Sequence, residues 1–185
     1  MLNGFPAFTL YTIGHSNQPT SEFLGLLQRH AIQALVDVRS APYSRFAPQF
    51  NRKALEAAVR EAGMAYHYAG DSLGGRPTDP GCYKSGRLPE GKADYAQAVD
   101  YAAVMTKPFF LAGIERLVEI AQASRTAIVC SEGDPARCHR HFLIGQFLSG
   151  RGVTVLHIQR DGNLISDAAL RSLAEKPPNG QIPLL

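Results

Sequence analysis

The sequence predicts an α/β fold, a single three-layer domain with a mostly parallel sheet and one antiparallel edge strand. Three observations lead there. Short apolar, β-branched runs alternate with helix-period segments, the pattern of βαβ units. A length of 185 residues, 45% of them apolar, is enough to fill one sizeable core. Late in the chain, Asp161-Gly162 separates two short apolar runs and reads as a tight turn at the sheet edge.

The elements follow in order. Thr9 to Gly14 is the first strand. Thr20 or Ser21 caps a helix running to about His30, whose Phe23, Leu24 and Leu27 form one apolar face. Ala34 to Arg39 is a β-branched second strand. Asn51 stands as N-cap of a helix over Arg52–Ala62 that stops at Gly63, and Met64 to Tyr68 is the third strand. Leu73 to Lys92, rich in Gly, Pro and charge, is long for a connection and reads as a functional flap. Two helices are expected over Asp94–Met105 and Pro108–Ala123, with Pro108 suited to a first turn. Arg125 to Cys130 is a central buried strand. A helix over Arg137–Ser149 and a strand over Val153–Gln159 come next, and Leu164-Ile165 completes the edge pair. The core spans about residues 9–175 of one 1–185 domain, and the Pro-containing end, 176–185, is expected to be a loosely held tail.

Composition excludes several function classes. A net charge of +3 falls far short of a polybasic stripe, so nucleic acid is not favoured, and it permits a small anionic ligand as partner without demanding one. No basic cluster precedes an apolar run at the start, and no stretch approaches the roughly 18–20 apolar residues of a membrane span. A cytoplasmic protein is expected. Three cysteines, an odd number, do not make a disulfide framework.

In an open parallel sheet, ligands bind beyond the carboxyl ends of the strands. The polar residues fall at those ends: His15 and Ser16 after the first strand, Asp37, Arg39 and Arg45 after the second, Gly74, Gly75 and Arg76 after the third. The fourth delivers Cys130 and Glu132, followed by Cys138, His139 and Arg140. Cys138 is expected in the first turn of a helix, where backbone N–H groups favour anions and thiolates. Each residue also has a structural reading. A buried cysteine is often a small core residue, a histidine beside a helix start is often satisfied by carbonyls, Asp37 with Arg39 could be an ion pair, and the glycines could serve turns.

The set Tyr11-Thr-Ile-Gly-His-Ser16, Leu35-Val-Asp-Val-Arg39 with Pro42 and Ser44, Tyr66 to Leu73-Gly-Gly75, and Cys130-Ser-Glu132 with Cys138-His-Arg140 resembles the bacterial domain-of-unknown-function family numbered 488. The likeness runs from about Thr9 to Gln159. It implies a compact α/β fold and a shared site, and it supplies no reaction.

Three functions compete. The first is an enzyme acting on a small anionic or phosphorylated substrate, a nucleotide among the candidates. Cys130 would be nucleophile or redox thiol, His15 or His139 the proton shuttle, and Glu132 an orienting carboxylate or acid/base. Ser16, Asp37, Arg39, Arg45, Gly74, Gly75, Arg76, Cys138 and Arg140 would bind the ligand, and no metal is assigned. The second is a Cys/His metal site of Cys130, Cys138, His139 and His15, although Cys-x7-Cys-His is not a finger spacing. The third is a nucleic-acid-binding or regulatory module using Tyr43, Arg45, Phe46, Phe50, Arg52 and Lys53. The sequence names no cofactor and no oligomeric state.

Overall fold

The computed structural model describes residues 5–90 and 94–175. Six strands form one sheet: β1 (Thr9–Gly14), β2 (Ala34–Asp37), β3 (Ala65–Tyr68), β4 (Thr126–Cys130), β5 (Thr154–Ile158) and β6 (Leu164–Ser166). Their order is β3-β2-β4-β1-β5-β6. The first five are parallel and β6 is antiparallel to β5, as the Asp161-Gly162 turn predicts. The fold is α/β.

Alternation along the strands feeds two separate cores. Leu10, Val36, Ile128 and Val155 pack on one face of the sheet, while Tyr11, Ile13, Leu35, Ala127 and Val129 pack on the other. Helices α1 (Thr20–Arg29) and α2 (Arg52–Glu61) cover the second face through Phe23, Leu27, Leu55 and Val59. The first face is covered through α3 (Gly70–Leu73), α5 (Tyr101–Val104), α6 (Pro108–Ala123) and a π-helical turn, Arg140–Gly145, that continues into α7 (Gln146–Ser149). The loops leaving β1 and β2 therefore go to one face, and the loop leaving β4, which lies between them, goes to the other. That divergence opens a crevice at the carboxyl end of β4.

Several elements differ from expectation. The predicted helix over Asp94–Met105 is two single turns, Tyr95–Ala98 (α4) and α5, because Val99 is extended and bridges to Tyr83 while the Asp100 carboxylate accepts the Ala103 N–H at 3.1 Å and starts a new turn. The predicted flap is packed down in its first part, through Tyr83, whereas residues 84–88 are exposed. Cys82 and Tyr83 are core residues, the Tyr83 hydroxyl donates to the Pro77 carbonyl, and Lys107 pairs with Asp79 at 2.6 Å. Lys92, the flap's expected end, lies outside the described residues. The predicted helix at Arg137 begins only at Arg140, since Pro135–Arg137 is a 3-10 turn and Cys138 is extended. Helix α8 (Asp167–Glu175), which packs beside β5 and β6, was not expected from the sequence. The expected tail, 176–185, lies outside the described residues. No helix among those described is long and apolar enough to cross a membrane.

Candidate functional site

Beyond Cys130 the chain turns through Ser131–Asp134, where the Asp134 carboxylate accepts the Ala136 N–H at 2.9 Å and fixes the 3-10 turn. The turn returns Cys138 and His139 to the end of β4. His139 Nδ1 then lies 3.6 Å from Cys130 Sγ and 3.7 Å from Cys138 Sγ. On the far side of the ring, Nε2 is 3.1 Å from the Val38 carbonyl. A carbonyl only accepts, so Nε2 carries a proton and Nδ1 is the ring nitrogen that faces both sulfurs. A hydrogen bond from the Cys138 thiol, opposed by burial and aided by His139 and the Glu132 N–H, holds Cys130 well below the usual thiol range. Giving that bond while buried pushes Cys138 well above it.

A second constellation stands beside the first. Asp37 is fully buried and accepts from Arg39 Nε at 2.8 Å, Arg39 Nη2 at 2.6 Å, the Arg39 N–H at 3.1 Å and the Tyr66 hydroxyl at 2.7 Å. Arg39 Nη1 reaches the Phe50 carbonyl at 2.7 Å and His15 Nε2 at 3.0 Å. His15 Nδ1 donates to the Ser16 carbonyl at 2.7 Å, and its ring stacks on Phe50 with centroids 4.3 Å apart. Burial, reinforced by Arg39 and offset in part by the Ser16 bond, lowers the His15 pKa. His15 is thus a fixed, neutral imidazole with both nitrogens engaged.

Arg140 lies beneath the turn and is fully buried. Its Nη1 donates to the Glu132 carbonyl, its Nη2 to the Gly133 carbonyl at 2.7 Å, and its Nε has no partner. None of the ion pairs among the described residues includes it. Opposite, Ser16 adopts φ 47°, left-handed backbone unusual for a side-chain-bearing residue, and its N–H donates to the Ser131 carbonyl at 3.0 Å. Gly75 presses its backbone on the histidine: a Cβ there would lie 2.8 Å from His139 Cγ and 2.9 Å from Nδ1.

Above these groups lies a cleft of about 720 Å³, within the usual range of small-molecule sites. His15, Ser16, Arg39, Gly75, Arg76, Cys130, Glu132, Cys138 and His139 line it. The structure places Asp37, Gly74 and Arg140 behind that wall, and Arg45 exposed on the loop beside it. Arg39 and Arg140 turn their Nη donors to the protein, whereas the exposed Arg76 and Arg137 face the cleft, Arg76 stacked 4.6 Å over Tyr95. Tyr43 and Phe46, 73% and 92% exposed, stand at its mouth. Tyr101, which also lines the cleft, and the Val38 carbonyl were not foreseen. The capping Asp100 was the available sign of the first, and a main-chain acceptor leaves no sign at all.

A buried polar knot stands behind the π-helical turn. Asp167 accepts from His141 Nδ1 at 2.6 Å, His157 Nε2 at 3.3 Å and the Ser149 hydroxyl at 3.2 Å, while His157 Nδ1 accepts from Thr12 at 2.7 Å. Burial pushes the Asp167 pKa up, but the two histidine bonds outweigh it and hold the carboxyl well below its ordinary range. The knot ties the turn to β1, β5 and α8.

A family model described as Domain of unknown function DUF488 matches residues 19–147, which takes in the cluster at Cys130–His139 and leaves His15 and Ser16 outside the matched span. Neither a curated protein nor a solved structure matches the chain significantly.

Proposed function

Because the chain belongs to the DUF488 family, whose name assigns no reaction, we propose a function from the cleft itself: an enzyme acting on a small anionic or phosphorylated substrate. One observation carries the reading. Two sulfurs and an imidazole nitrogen converge on the floor of a cleft whose walls carry the arginines Arg76 and Arg137. Three lone-pair donors at one point are a reacting centre, and a guanidinium fork suits phosphate or carboxylate bidentately.

Other residues take roles that fit. Neutral His15, with both nitrogens engaged, stands beside the floor as a fixed wall held by Arg39, and Glu132 supplies a carboxylate on the cleft wall. The exposed rings of Tyr43 and Phe46 offer a stacking surface at the mouth, which favours a ligand carrying a planar group, such as a nucleotide.

The test is a thermal-shift titration with inorganic phosphate and a nucleoside monophosphate. Ligand at a hundred times its Kd should stabilise the fold by about 2.7 kcal/mol, a rise in Tm of about 5–10 °C. Arg76→Ala with Arg137→Ala should remove the rise. An unchanged Tm across millimolar concentrations of both ligands refutes the reading.

A further inference from the structure

We propose that Cys130, Cys138 and His139 are a three-ligand site for a soft divalent cation, zinc, with the fourth coordination position open to the cleft. This rests on the reading of the cluster as the reacting floor and names the group that acts there.

The distances carry it. Tetrahedral zinc, with Zn–S near 2.3 Å and Zn–N near 2.0–2.1 Å, sets its S···N edges at about 3.5–3.6 Å. The two S···N separations here are 3.6 and 3.7 Å, and all three donor atoms lie within 4.8 Å of one another. The Nδ1 of one imidazole points along one line and cannot share a straight hydrogen bond with each of two sulfurs. A single ion between the three donors meets all of them.

The surroundings agree. Zinc-ligating histidines donate their other ring N–H to a carbonyl or carboxylate, which fixes the tautomer, and His139 Nε2 has the Val38 carbonyl at 3.1 Å. Metal ligation needs thiolates, and Arg140 is a buried cation directly beneath the turn with no carboxylate in its ion pairs among the described residues. Two thiolates and a neutral imidazole bring a zinc site to zero net charge, which suits burial.

Ligand count decides what kind of site this is. His15, the fourth ligand expected from the sequence, has Nδ1 on the Ser16 carbonyl and Nε2 on Arg39, so neither nitrogen is free. Three protein ligands below a cleft is the pattern of catalytic zinc, whereas structural sites close with four. In the open position the ion polarises a substrate oxygen or acidifies a water, as Lewis acid for hydrolysis or a related transfer. The knot at His141, His157 and Asp167 is no rival, because its carboxylate is already occupied by both rings.

The experiment uses the full chain, expressed with added zinc and purified without chelator. Elemental analysis should find about one zinc per chain, and Cys130→Ser, Cys138→Ser and His139→Ala should each lose most of it while Cys82→Ala, altered in the core away from the cluster, keeps it. Independently of any variant, wild type stripped by chelator and titrated with cobalt(II) should develop thiolate-to-cobalt absorption and the intense visible bands of four-coordinate cobalt. Substoichiometric zinc with no thiolate–cobalt absorption overturns the proposal, as does zinc that survives all three ligand substitutions. If the phosphate-induced rise in Tm persists in those cases, the anion site stands without its metal. If zinc is stoichiometric and the rise is missing, the enzyme reading falls instead.

Discussion

Removing the Asp37 carboxylate should be the most damaging single change at the strand ends. Asp37 is 0% and Arg39 5% exposed, and Asp37→Ala leaves the guanidinium buried with no opposing charge and Tyr66 without its acceptor. Breaking one member of a buried pair costs about 3–5 kcal/mol, which for a chain of 185 residues lowers Tm by about 6–20 °C. The exposed pair Arg60–Glu56 supplies the contrast, since Glu56→Ala should cost no more than about 0.5 kcal/mol. The chain has no tryptophan, so urea unfolding is best followed by far-ultraviolet circular dichroism. Asp37→Leu with Arg39→Met, which removes both charges, should recover much of the loss. An Asp37→Ala cost below about 1 kcal/mol, no larger than an exposed pair gives, would refute the claim that this buried pair holds the strand end and, through Arg39, His15.

Two glycine substitutions should move stability in opposite directions. Gly75→Ala forces a Cβ to 2.8 Å from the His139 ring and should cost about 1–3 kcal/mol, whereas Gly25→Ala, inside α1 with nothing within 4 Å, should gain about 0.5–1 kcal/mol; urea midpoints of both variants check this. Asp167 has a depressed folded pKa, so its contribution is present above the ordinary aspartate value and fades as pH falls through and below about 4. Burial also lowers the His157 pKa from 6.5, so stability should begin to fall as pH drops below that value. Asp167→Asn should flatten the aspartate part of the profile, read as unfolding free energy at a series of pH values down to 3. Tyr66→Phe, which deletes a 2.7 Å bond to a buried carboxylate, should cost about 1.5–3 kcal/mol in the same urea assay.

The strands were legible because both faces of the sheet are covered, so β1, β2 and β4 read as short, mostly apolar runs. With the strand ends known, His15, Arg39, Gly75 and Cys130 could be placed along one edge. The start of the last long helix was misread for an identifiable reason. Asp134 caps a separate three-residue turn, Pro135–Arg137, and extended Cys138 divides it from the helical segment that starts at Arg140. Helix α8 gave a thin signal, with Leu170 buried and Leu173 59% exposed. Sequence also does not separate an arginine that holds a ligand from one that holds its own chain: Arg140 satisfies the Glu132 and Gly133 carbonyls and Arg76 faces the cleft, yet both follow strands in the same way. Asp167 and His157 meet only because the β5–β6 hairpin folds back.

Three consecutive residues, His139, Arg140 and His141, are bolted to three different things: the Val38 carbonyl, the Ser131–Asp134 turn and Asp167. The π-helical turn that follows, wider than an α-helical one, carries this spread-out attachment into α7. Sliding or rotating that segment would strain all three fastenings together, so the floor of the cleft behaves as an anvil. The opposite jaw of the cleft is the loop carrying Tyr43 and Phe46. That loop is pinned locally: the Ser44 N–H donates to Asn51 at 2.7 Å, and the Ser44 hydroxyl accepts from the N–H groups of Phe46 and Ala47. The cleft is thus bounded by two walls built differently, one fastened to the sheet and to α8 and one held by bonds within its own loop.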